Sequence, residues 1–328
     1  MVMAAARILH VSTVHTPFDT RIFQKEARSL AASGFAVTLA ATTDDRGVRD
    51  SVVLLPLGNR NGSRLRRIGR NFRALSAMLR RSYDIVHIHD PELLVTGIVP
   101  LAFGRRLVYD VHEFYREDIL AKEWIPLRLR QIAAFVYGFI EKMLVPRFAG
   151  AVVVSEQMRP RYEKLLPADR VALVRNFPSI TDADVEAAKS GKRPIEEPYI
   201  VHTGGASKLR AFHVLVAAAE RLRERGVRAP IVNLGAVDLD AYGPEARSLE
   251  SRARSAGVVL TGILPYAVSL RWVANAAVGY LPLADTENNA LGMPNKLFEY
   301  FRFGLPVVAT DIGRVAHIVG ETGAGVTV

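Results

Sequence analysis

The chain has 328 residues, of which 49% are hydrophobic and 23% charged, and it carries a formal net charge of +10. This length favours two α/β domains, and the composition is that of a folded globular protein rather than a disordered or fibrous one. Because the sequence contains no cysteine, it excludes disulfides, thiolate catalysis and cysteine-ligated zinc.

The amino-terminal segment passes directly into a strand-like run, without the basic and long apolar regions of a signal peptide. No run reaches the roughly 18 uncharged apolar residues of a membrane-spanning helix. We therefore expect a cytoplasmic protein, either in solution or peripheral on the inner face of the plasma membrane.

Short β-branched runs alternate with helical stretches through the first half, which predicts a parallel sheet covered on both faces. The predicted strands are residues 8–12, 36–41, 52–56, 85–89, 107–111, 151–155 and 171–174. The first intervening helix, residues 21–33, places Phe23, Ala27, Leu30 and Ala31 on one face, and Gly34 is expected to end it.

A basic segment lies between Gly58 and Arg81, with eight arginines and no acidic residue. A helix over residues 65–79 would carry an apolar face and an arginine face. The predicted apolar face is Leu65, Ile68, Phe72, Leu75 and Leu79, and the predicted arginine face is Arg66, Arg67, Arg70 and Arg73. Either the helix packs on the core with solvated arginines, or the region from Arg64 to Arg81 contacts an anionic membrane. No aromatic side chains are interleaved as in nucleic-acid-binding surfaces, so nucleic acid is not expected as a partner.

The polar segment at residues 189–198 contains two prolines and a glycine, which is typical of a linker. It predicts one Rossmann-like domain over residues 1–188 and a second over residues 199–328. Strand-like runs resume in the second half at residues 199–203, 231–234, 258–260, 278–281 and 307–309. The expected architecture is two doubly wound parallel sheets facing each other across a cleft, with ligands at the carboxyl ends of the strands.

Candidate functional residues follow the predicted strands, where such sheets place their sites. They are His15, Asp19 and Arg21, then His112 and Glu113, then Gly204, Gly205, Lys208 and Arg210, and finally Asn295, Lys296 and Glu299. Taken alone, the two glycines indicate a tight turn or a phosphate site. The segment lacks the GxGxxG pattern and the acidic residue that follows it in dinucleotide sites, so NAD binding is not favoured.

Pro294 is predicted to occupy the first position of a helix, with Gly292 and Met293 just before it. The free amides and the positive dipole end of such a helix suit a pyrophosphate, and Glu299 could accept hydrogen bonds from ribose hydroxyls. The alternative is that Lys296 and Glu299 form a solvated pair on an ordinary helix.

Histidines at a strand end are often only hydrogen-bonded structural residues, and His112, His87 and His89 allow that interpretation. The segment containing His87 and His89 lacks the i,i+4 helical spacing of a zinc protease, so no metal site is expected. Asp238 and Asp240 are interpreted as solvated acids in a loop.

With these residues laid out, the chain resembles glycosyltransferase family 4, whose members are retaining enzymes of GT-B architecture. The resemblance rests on HTPFDTRIF, DIVHIHD and VYDVHEFY in the first half, and on TGILPY and MPNKLFEYFRFGLPVVATDIG in the second. The last string, with its Pro-Asn-Lys-x-x-Glu pattern, is the most specific of them.

The resemblance implies a role for each candidate. Glu299 would contact the donor ribose, the backbone of Gly292, Met293 and Pro294 would receive the pyrophosphate, and Gly204, Gly205, Lys208 and Arg210 would lie at the donor phosphates. Ile263, Leu264 and Tyr266 would line the base pocket. His112 would reach the reacting sugar or the acceptor, while His15, Asp19, Arg21 and Glu113 would shape the acceptor side.

Two departures from the family pattern stand out. Leu291 occupies the position of a family glutamate that touches the transferred sugar, and Asn295 or Lys296 is the candidate substitute. Members also continue for some tens of residues beyond Val328, so a truncated or inactive copy is one alternative.

The implied reaction is sugar transfer from a UDP- or GDP-sugar to an acceptor hydroxyl, without a cofactor, in polysaccharide or glycolipid synthesis. The acceptor would be a saccharide or a lipid-linked molecule. The alternatives are a nucleotide-sugar epimerase of the same fold and an inactive nucleotide-binding protein.

Overall fold

The computed structural model describes residues 5–59, 64–122 and 125–328, and the side chains of residues 64–67 are outside that description. The chain divides into two compact units, Met1–Asn176 and Phe177–Val328. Each unit is built on its own parallel sheet.

The first unit contains an eight-stranded sheet in the order β3-β4-β2-β1-β5-β6-β7-β8, in which only β3 runs antiparallel to its neighbour. Its strands are β1 Arg7–Val11, β2 Ala36–Ala41, β3 Gly47–Arg49, β4 Val52–Pro56, β5 Ile85–Ile88, β6 Leu107–Val111, β7 Gly150–Val153 and β8 Val171–Leu173. Its helices are α1 Arg28–Ala32, α2 Arg64–Leu79, α3 Leu93–Thr96, α4 Ile98–Ala102, α5 Tyr115–Ala121, α6 Leu127–Leu144 and α7 Arg159–Glu163. The chain order reverses between β1 and β5, so residues that follow these strands share one edge of the sheet.

The second unit contains a six-stranded sheet in the order β11-β10-β9-β12-β13-β14, with every pair parallel. Its strands are β9 Ile200–Thr203, β10 Ile231–Leu234, β11 Val259–Leu260, β12 Val278–Leu281, β13 Val307–Ala309 and β14 Gly325–Thr327. Its helices are α8 Asp182–Ser190, α9 Phe212–Glu224, α10 Ala246–Ser255, α11 Tyr266–Ala274, α12 Glu287–Leu291, α13 Asn295–Arg302 and α14 Gly313–Thr322. Here the chain order reverses between β9 and β12.

The cores form where the apolar runs of central strands are covered by helices on both faces, as parallel sheets require. Leu9, Val86 and Tyr109 are fully buried in the first sheet, and Val201 and Leu281 in the second. The alternating strand and helix pattern predicted from sequence is therefore confirmed, and the strands lie within one or two residues of the predicted ranges.

The boundary between the units precedes the predicted linker. Helix α8 belongs to the second unit, because Ile180 before it and Ala188 within it lie in the same apolar cluster as Val273 of α11. The polar segment that follows α8 is a connection inside the second unit, so its composition does not mark the division.

The predicted orientation of α2 is wrong. Ile68 and Phe72, expected on the core, are exposed, whereas Ala74 and Met78 are fully buried. Arg70, expected in solvent, is buried as well. The small side chains let α2 approach the sheet closely.

Two arginines of α2 also donate hydrogen bonds to backbone carbonyls of the segment that follows β4. Arg70 donates from Nη1 to the carbonyl of Asn59 at 2.9 Å, and Arg73 does the same to Leu57 at 2.9 Å. The side chains of Arg64, Arg66 and Arg67 lie outside the described residues.

In the first unit, the predicted helix at 21–33 begins with a π-helical turn, Ile22–Ala27, before α1. Phe23 and Ala27 face the core as expected, and Gly34 follows with φ +90. Among the described residues, no helix is long and apolar enough to span a membrane.

Candidate functional site

In the first unit, Asp110 lies at the centre of a buried polar network near the carboxyl end of β6. Arg21 binds both of its oxygens, with Nε donating to Oδ2 at 2.9 Å and Nη2 donating to Oδ1 at 2.6 Å. His112 Nε2 lies 2.7 Å and His89 Nδ1 lies 3.0 Å from Oδ2. Burial alone would raise the pKa of Asp110, but His112, His89 and Arg21 outweigh it and hold that pKa well below its usual value. Asp110 is therefore a carboxylate.

The hydrogen bonds fix the tautomer of each imidazole around Asp110. Because a carboxylate only accepts, His112 must carry its proton on Nε2 and His89 must carry one on Nδ1. His89 Nε2 then accepts from His10 Nδ1, which lies 2.9 Å away. Burial lowers the pKa of His10 and of His89, so both rings are neutral in this chain.

A second buried group adjoins the network and consists of His10, Glu26, His87 and His89, whose ligand-type atoms lie within 4.8 Å of one another. Neither His10 Nε2 nor His87 Nε2 has a hydrogen-bond partner among the described residues. Burial lowers the pKa of His87 to about 3. Burial and the nearby Asp110 raise the pKa of Glu26 well above its usual value, despite the Arg21 guanidinium 3.0 Å away.

The loop after β1 is held to the loop after β5 through Asp90. Its Oδ2 accepts from the Thr13 amide at 2.6 Å, and its Oδ1 lies 3.1 Å from His15 Nδ1. The rings of His15 and His112 are 5.4 Å apart between centroids. These two histidines, which sequence reasoning placed in one site, therefore do lie together.

The other candidates of the first unit have different surroundings. Asp19 accepts from the amides of Arg21 and Ile22 at 2.8 and 3.0 Å, so it caps the π-helical turn. Arg21 is buried against Asp110 and Glu26, while Glu113 is exposed. Arg21 therefore acts on this region through Asp110 rather than by facing solvent.

In the second unit, the turn after β9 depends on glycine. Gly204 has φ +127, and a Cβ there would lie 3.0 Å from Lys296 Nζ. Gly235, after the neighbouring strand β10, has φ +154, and a Cβ there would lie 2.4 Å from the Gly204 carbonyl oxygen. Both positions therefore exclude larger residues, and the backbone of β9 stays open to a ligand.

Lys296 occupies the first turn of α13 at the point where the strand order reverses. It is buried, and its Nζ has no hydrogen-bond partner among the described residues. Burial and the Arg210 guanidinium lower its pKa well below the usual value, while Glu299 acts in the opposite direction. The solvated Lys296–Glu299 pair considered from sequence is therefore wrong for Lys296, whose amino group is buried and has no hydrogen-bond partner among the described residues.

Helix α13 begins at Asn295, with Pro294 as its N-cap, one residue later than predicted. The N-cap residue is a proline and makes no side-chain hydrogen bond to the first amides of the helix. Gly292 lies against the preceding turn, where a Cβ would be 2.9 Å from the Asn288 carbonyl oxygen, and Met293 joins the two segments.

Tyr300 fixes α13 against the sheet. Its hydroxyl lies 2.9 Å from the Thr203 amide, which donates to it, and 3.3 Å from the carbonyl oxygens of Val201 and Tyr280. A Cβ on Gly279 would lie 2.4 Å from the Tyr300 ring, so a glycine is needed beneath it. The end of β9 and the start of α13 are thereby held in one position relative to each other.

Of the remaining donor-side candidates, Arg210 lies at this point, since a Cβ on Gly204 would be 3.4 Å from its Nη1. Lys208 and Arg210 belong to a short 3-10 turn, Lys208–Arg210, that follows Gly205. Tyr266 Oη is 3.5 Å from Glu299 Oε1. Leu264 packs on the core, whereas Ile263 is 82% exposed.

Sequence reasoning missed four residues of the first network, namely His10, Glu26, Asp90 and Asp110. The sequence contained a signal for Asp110, because it lies two positions before His112 and residues two apart on a strand share a face. Glu26 gave no such signal, since an acid in a helix is ordinarily solvated.

Comparisons with known proteins cover most of the chain. Residues 21–178 match the family model described as Glycosyltransferase Family 4, and residues 197–328 match the model described as Glycosyl transferases group 1. No curated protein matches the sequence.

Solved structures are similar over nearly the whole chain. Sucrose-phosphate synthase from Thermosynechococcus elongatus has a TM-score of 0.72 at 17% identity, covering 98% of this chain and 86% of that one. WaaG, a glycosyltransferase involved in lipopolysaccharide biosynthesis, has a TM-score of 0.68 at 15% identity, covering 98% and 85%. HepE from Anabaena, in complex with UDP and glucose, has a TM-score of 0.65 at 14% identity, covering 96% and 83%. At these identities the likeness shows the fold.

Proposed function

Because the chain is a glycosyltransferase of the GT-B fold, with a family 4 domain followed by a group 1 domain, we propose that it transfers a sugar from a nucleoside diphosphate to an acceptor hydroxyl with retention at the anomeric carbon. The donor is a UDP- or GDP-sugar bound by the second unit. The acceptor is a saccharide or a lipid-linked molecule of a polysaccharide or glycolipid pathway.

The observation that carries this proposal is the buried cation at the start of α13. A lysine in the interior is costly unless an anion accompanies it. The Lys296 and Arg210 side chains lie at Gly204, where a Cβ would be 3.0 Å from Lys296 Nζ and 3.4 Å from Arg210 Nη1, and Lys296 belongs to the first turn of α13. A diphosphate has the charge and the acceptor oxygens that this arrangement lacks.

The same groups favour departure of the diphosphate. When the bond between the anomeric carbon and the phosphate oxygen breaks, negative charge grows on the diphosphate. Fixed cations and helix amides stabilise that charge more strongly in the transition state than in the bound donor. We assign Lys296 and Asn295 to the place where the family glutamate is replaced by Leu291, and we assign Glu299 to the donor ribose.

In the first unit, we propose that His112 contacts the reacting sugar or the acceptor. Its proton is held on Nε2 by Asp110, which leaves Nδ1 as the basic atom. Arg21 and His89 fix Asp110 and are positioning residues. His15, Asp19 and Glu113 would shape the acceptor side around His112.

The relatives support this choice only through their own ligands. HepE was solved with UDP and glucose, and a trehalose-phosphate synthase from Burkholderia xenovorans is described as UDP-forming. We propose that this chain also binds a nucleoside diphosphate, because Lys296 supplies a site for it.

The test is calorimetric titration of the protein with UDP, GDP and NAD, without added metal. One nucleoside diphosphate should bind, and NAD should not. Replacing Lys296 by Met should weaken that binding by roughly 10- to 100-fold, since it removes a charged hydrogen-bond donor. Replacing Glu299 by Ala should weaken it by about tenfold.

Lys192→Met is the matched control, because Lys192 is an exposed lysine of the same unit. It should leave the affinity unchanged. The proposal fails if neither nucleotide binds, or if the Lys192 and Lys296 variants bind alike. Product analysis then separates transfer from epimerisation, because an epimerase makes a new donor isomer without an acceptor.

A further inference from the structure

One buried group of the first unit has no part in the proposed sugar transfer beyond its contact with Asp110. We call its four residues, His10, Glu26, His87 and His89, the inner cluster. Their ligand-type atoms, one from each residue, lie within 4.8 Å of one another, and all four residues are buried. Imidazole and carboxylate are ligands that zinc and related ions bind in proteins.

The fold assembles the inner cluster from three separate elements. His10 of β1 pairs with His87 of β5, so the two side chains lie on one face of the sheet, with ring centroids 4.7 Å apart. The His89 ring is 4.7 Å from the His87 ring. Glu26 comes from the π-helical turn Ile22–Ala27, a rare geometry that is frequent at functional sites. Because the ligands come from distant segments, spacing along the sequence did not predict this site.

Four ligand-type atoms of the inner cluster lack hydrogen bonds. His10 Nε2, His87 Nε2 and both carboxyl oxygens of Glu26 are buried without a hydrogen-bond partner among the described residues. Arg21 Nη2 lies 3.0 Å from Glu26 Oε1, but not in hydrogen-bonding geometry. Each unpaired buried polar atom is costly, and four at one place require an explanation. A single ion that accepts lone pairs from nitrogen and oxygen would satisfy three residues at once.

The hydrogen bonds around His10 leave a lone pair on the atom that faces no partner. His89 donates from Nδ1 to Asp110 and accepts at Nε2 from His10 Nδ1, 2.9 Å away. His10 therefore carries its proton on Nδ1, and its Nε2 is free to bind a cation. Ligand histidines at metal sites ordinarily donate from their other nitrogen in this way. His87 is neutral, because burial lowers its pKa to about 3, and it too offers a lone pair.

The size of the inner cluster suits a metal ion. The point equidistant from three atoms that are 4.8 Å apart lies about 2.8 Å from each, whereas Zn²⁺ binds nitrogen and oxygen at about 2.0–2.2 Å. Each ligand atom therefore moves by less than about 1 Å to reach the ion. Side-chain rotation supplies a shift of that size without moving the strands.

A second group, His89, Asp110 and His112, also has ligand-type atoms within 4.8 Å of one another. Its atoms already bind each other, since Asp110 Oδ2 lies 2.7 Å from His112 Nε2 and 3.0 Å from His89 Nδ1. Arg21 donates to both oxygens of Asp110. An ion there would have to displace these hydrogen bonds, so the inner cluster is the better site.

We propose that the inner cluster binds one divalent transition-metal ion of the zinc class through His10, His87 and Glu26, with His89 holding His10 in place. The ion joins β1, β5 and the π-helical turn and has a structural role. Without an ion, Glu26 keeps a proton, because burial raises its pKa, and the bound ion replaces that proton. The inference concerns a different place from the donor site and does not rest on the proposed function.

The test is the zinc content of the chain after refolding from urea with Zn²⁺, measured by elemental analysis. One ion per chain should remain after brief treatment with a chelator, because the inner cluster is buried and zinc on the surface is removed. Zinc should also raise the midpoint of urea unfolding, since an ion that binds the folded chain stabilises it.

Glu26→Gln and His87→Gln should each lower the zinc content to less than about one tenth of an ion per chain and abolish the shift in the unfolding midpoint. Glu26→Gln is the sharper of the two variants. Without zinc at pH 8 it should be at least as stable as the wild type, because glutamine mimics the protonated carboxyl. Loss of zinc from this folded variant therefore reports the missing ligand.

His317→Gln is the matched control. His317 Nε2 lies 3.2 Å from Glu321 on the exposed side of α14, so this pair offers zinc a surface site instead. The variant should keep the full zinc content. His112→Gln tests the second group and should keep the ion as well.

The proposal is overturned if the refolded wild-type protein retains no zinc after the chelator. It is also overturned if Glu26→Gln and His87→Gln, folded by circular dichroism, retain as much zinc as the wild type. Loss of the ion in His317→Gln would place it on the surface of α14, and loss in His112→Gln alone would place it at Asp110, and either result contradicts the proposal. Nucleotide affinity is measured separately, so this site and the proposed donor site can fail independently.

Discussion

At the residue scale, the buried network of the first unit places neutral side chains around one charged pair. Arg21 and Asp110 are the ions, while His10 and His89 stay neutral beside them. Glu26 lies within reach of both ions, and its raised pKa keeps it protonated where an exposed glutamate would be charged. A buried carboxyl of this kind should make stability depend on pH.

Replacing Glu26 by Gln tests this dependence. The folded protein holds a proton that the unfolded chain loses, so wild-type stability falls as pH rises from the usual glutamate pKa through the raised one. Glutamine mimics the protonated form and removes the fall. We expect Glu26→Gln to stabilise the protein by roughly 1 to 3 kcal/mol at pH 8, with little effect near pH 4.

Urea unfolding at both pH values measures this difference. Glu186→Gln, at an exposed position of α8, is the control and should change stability little at either pH. An equal effect of Glu26→Gln at the two pH values would show that folding does not raise the pKa of Glu26.

The sequence predicted some of these residues and not others, for a physical reason. His112 was predicted as a candidate because it follows a strand, where α/β folds place ligands, and Lys296 and Glu299 were predicted because they lie on a helix that begins near Pro294. The buried state of Lys296 could not be predicted, because a lysine at the start of a helix is ordinarily solvated. Whether such a lysine is buried depends on how its helix packs on the sheet beneath it. The spacing of residues along the chain does not describe that packing.

At the element scale, α2 and α6 show where periodicity misleads. Helix α2 has apolar residues on two sides, and the sequence alone favoured the side with the larger ones. The structure buries Ala74 and Met78 instead and leaves Phe72 at 67% exposure. Helix α6 likewise leaves Phe135 and Phe139 exposed, so in both helices the apolar periodicity of the sequence does not identify the side that faces the core.

The orientation of α2 can be checked by two substitutions. Met78→Ala should cost about 2 to 5 kcal/mol, because Met78 is fully buried and its removal leaves a cavity. Phe72→Ala should change the free energy of unfolding by less than about 0.5 kcal/mol. Urea denaturation of the two variants measures both, and the reverse ranking would restore the orientation predicted from sequence.

At the scale of the whole molecule, strand positions were predictable because continuous β-branched runs are typical of buried parallel strands. The strands β3 and β14 escaped prediction, since each has only three residues and begins with a glycine. The boundary between the units was predicted too late because α8 is polar along its surface. Ile180, Val185 and Ala188 are the apolar residues of that region that pack on the second core.

The second unit should fold by itself. Residues 177–328 contain their own apolar clusters and all the residues assigned to the donor. We expect the isolated fragment to unfold cooperatively and to bind the same nucleoside diphosphate as the full chain, within about tenfold in affinity. Circular dichroism and calorimetry measure the two properties. A folded fragment without affinity, beside a full chain that binds, would move part of the donor site to the first unit.

The short strand β3 has a consequence for solubility. It pairs antiparallel with β4 through a turn in which Asp50 and Ser51 both have positive φ, and all three of its residues are exposed. A long, flat outer strand would offer its unpaired amides and carbonyls to another chain and seed aggregation. Here the edge is closed by three residues, too few to template a new ladder. The outer edge of β4 is thereby covered at Val52, Val53 and Leu54 by a strand too short to recruit another chain.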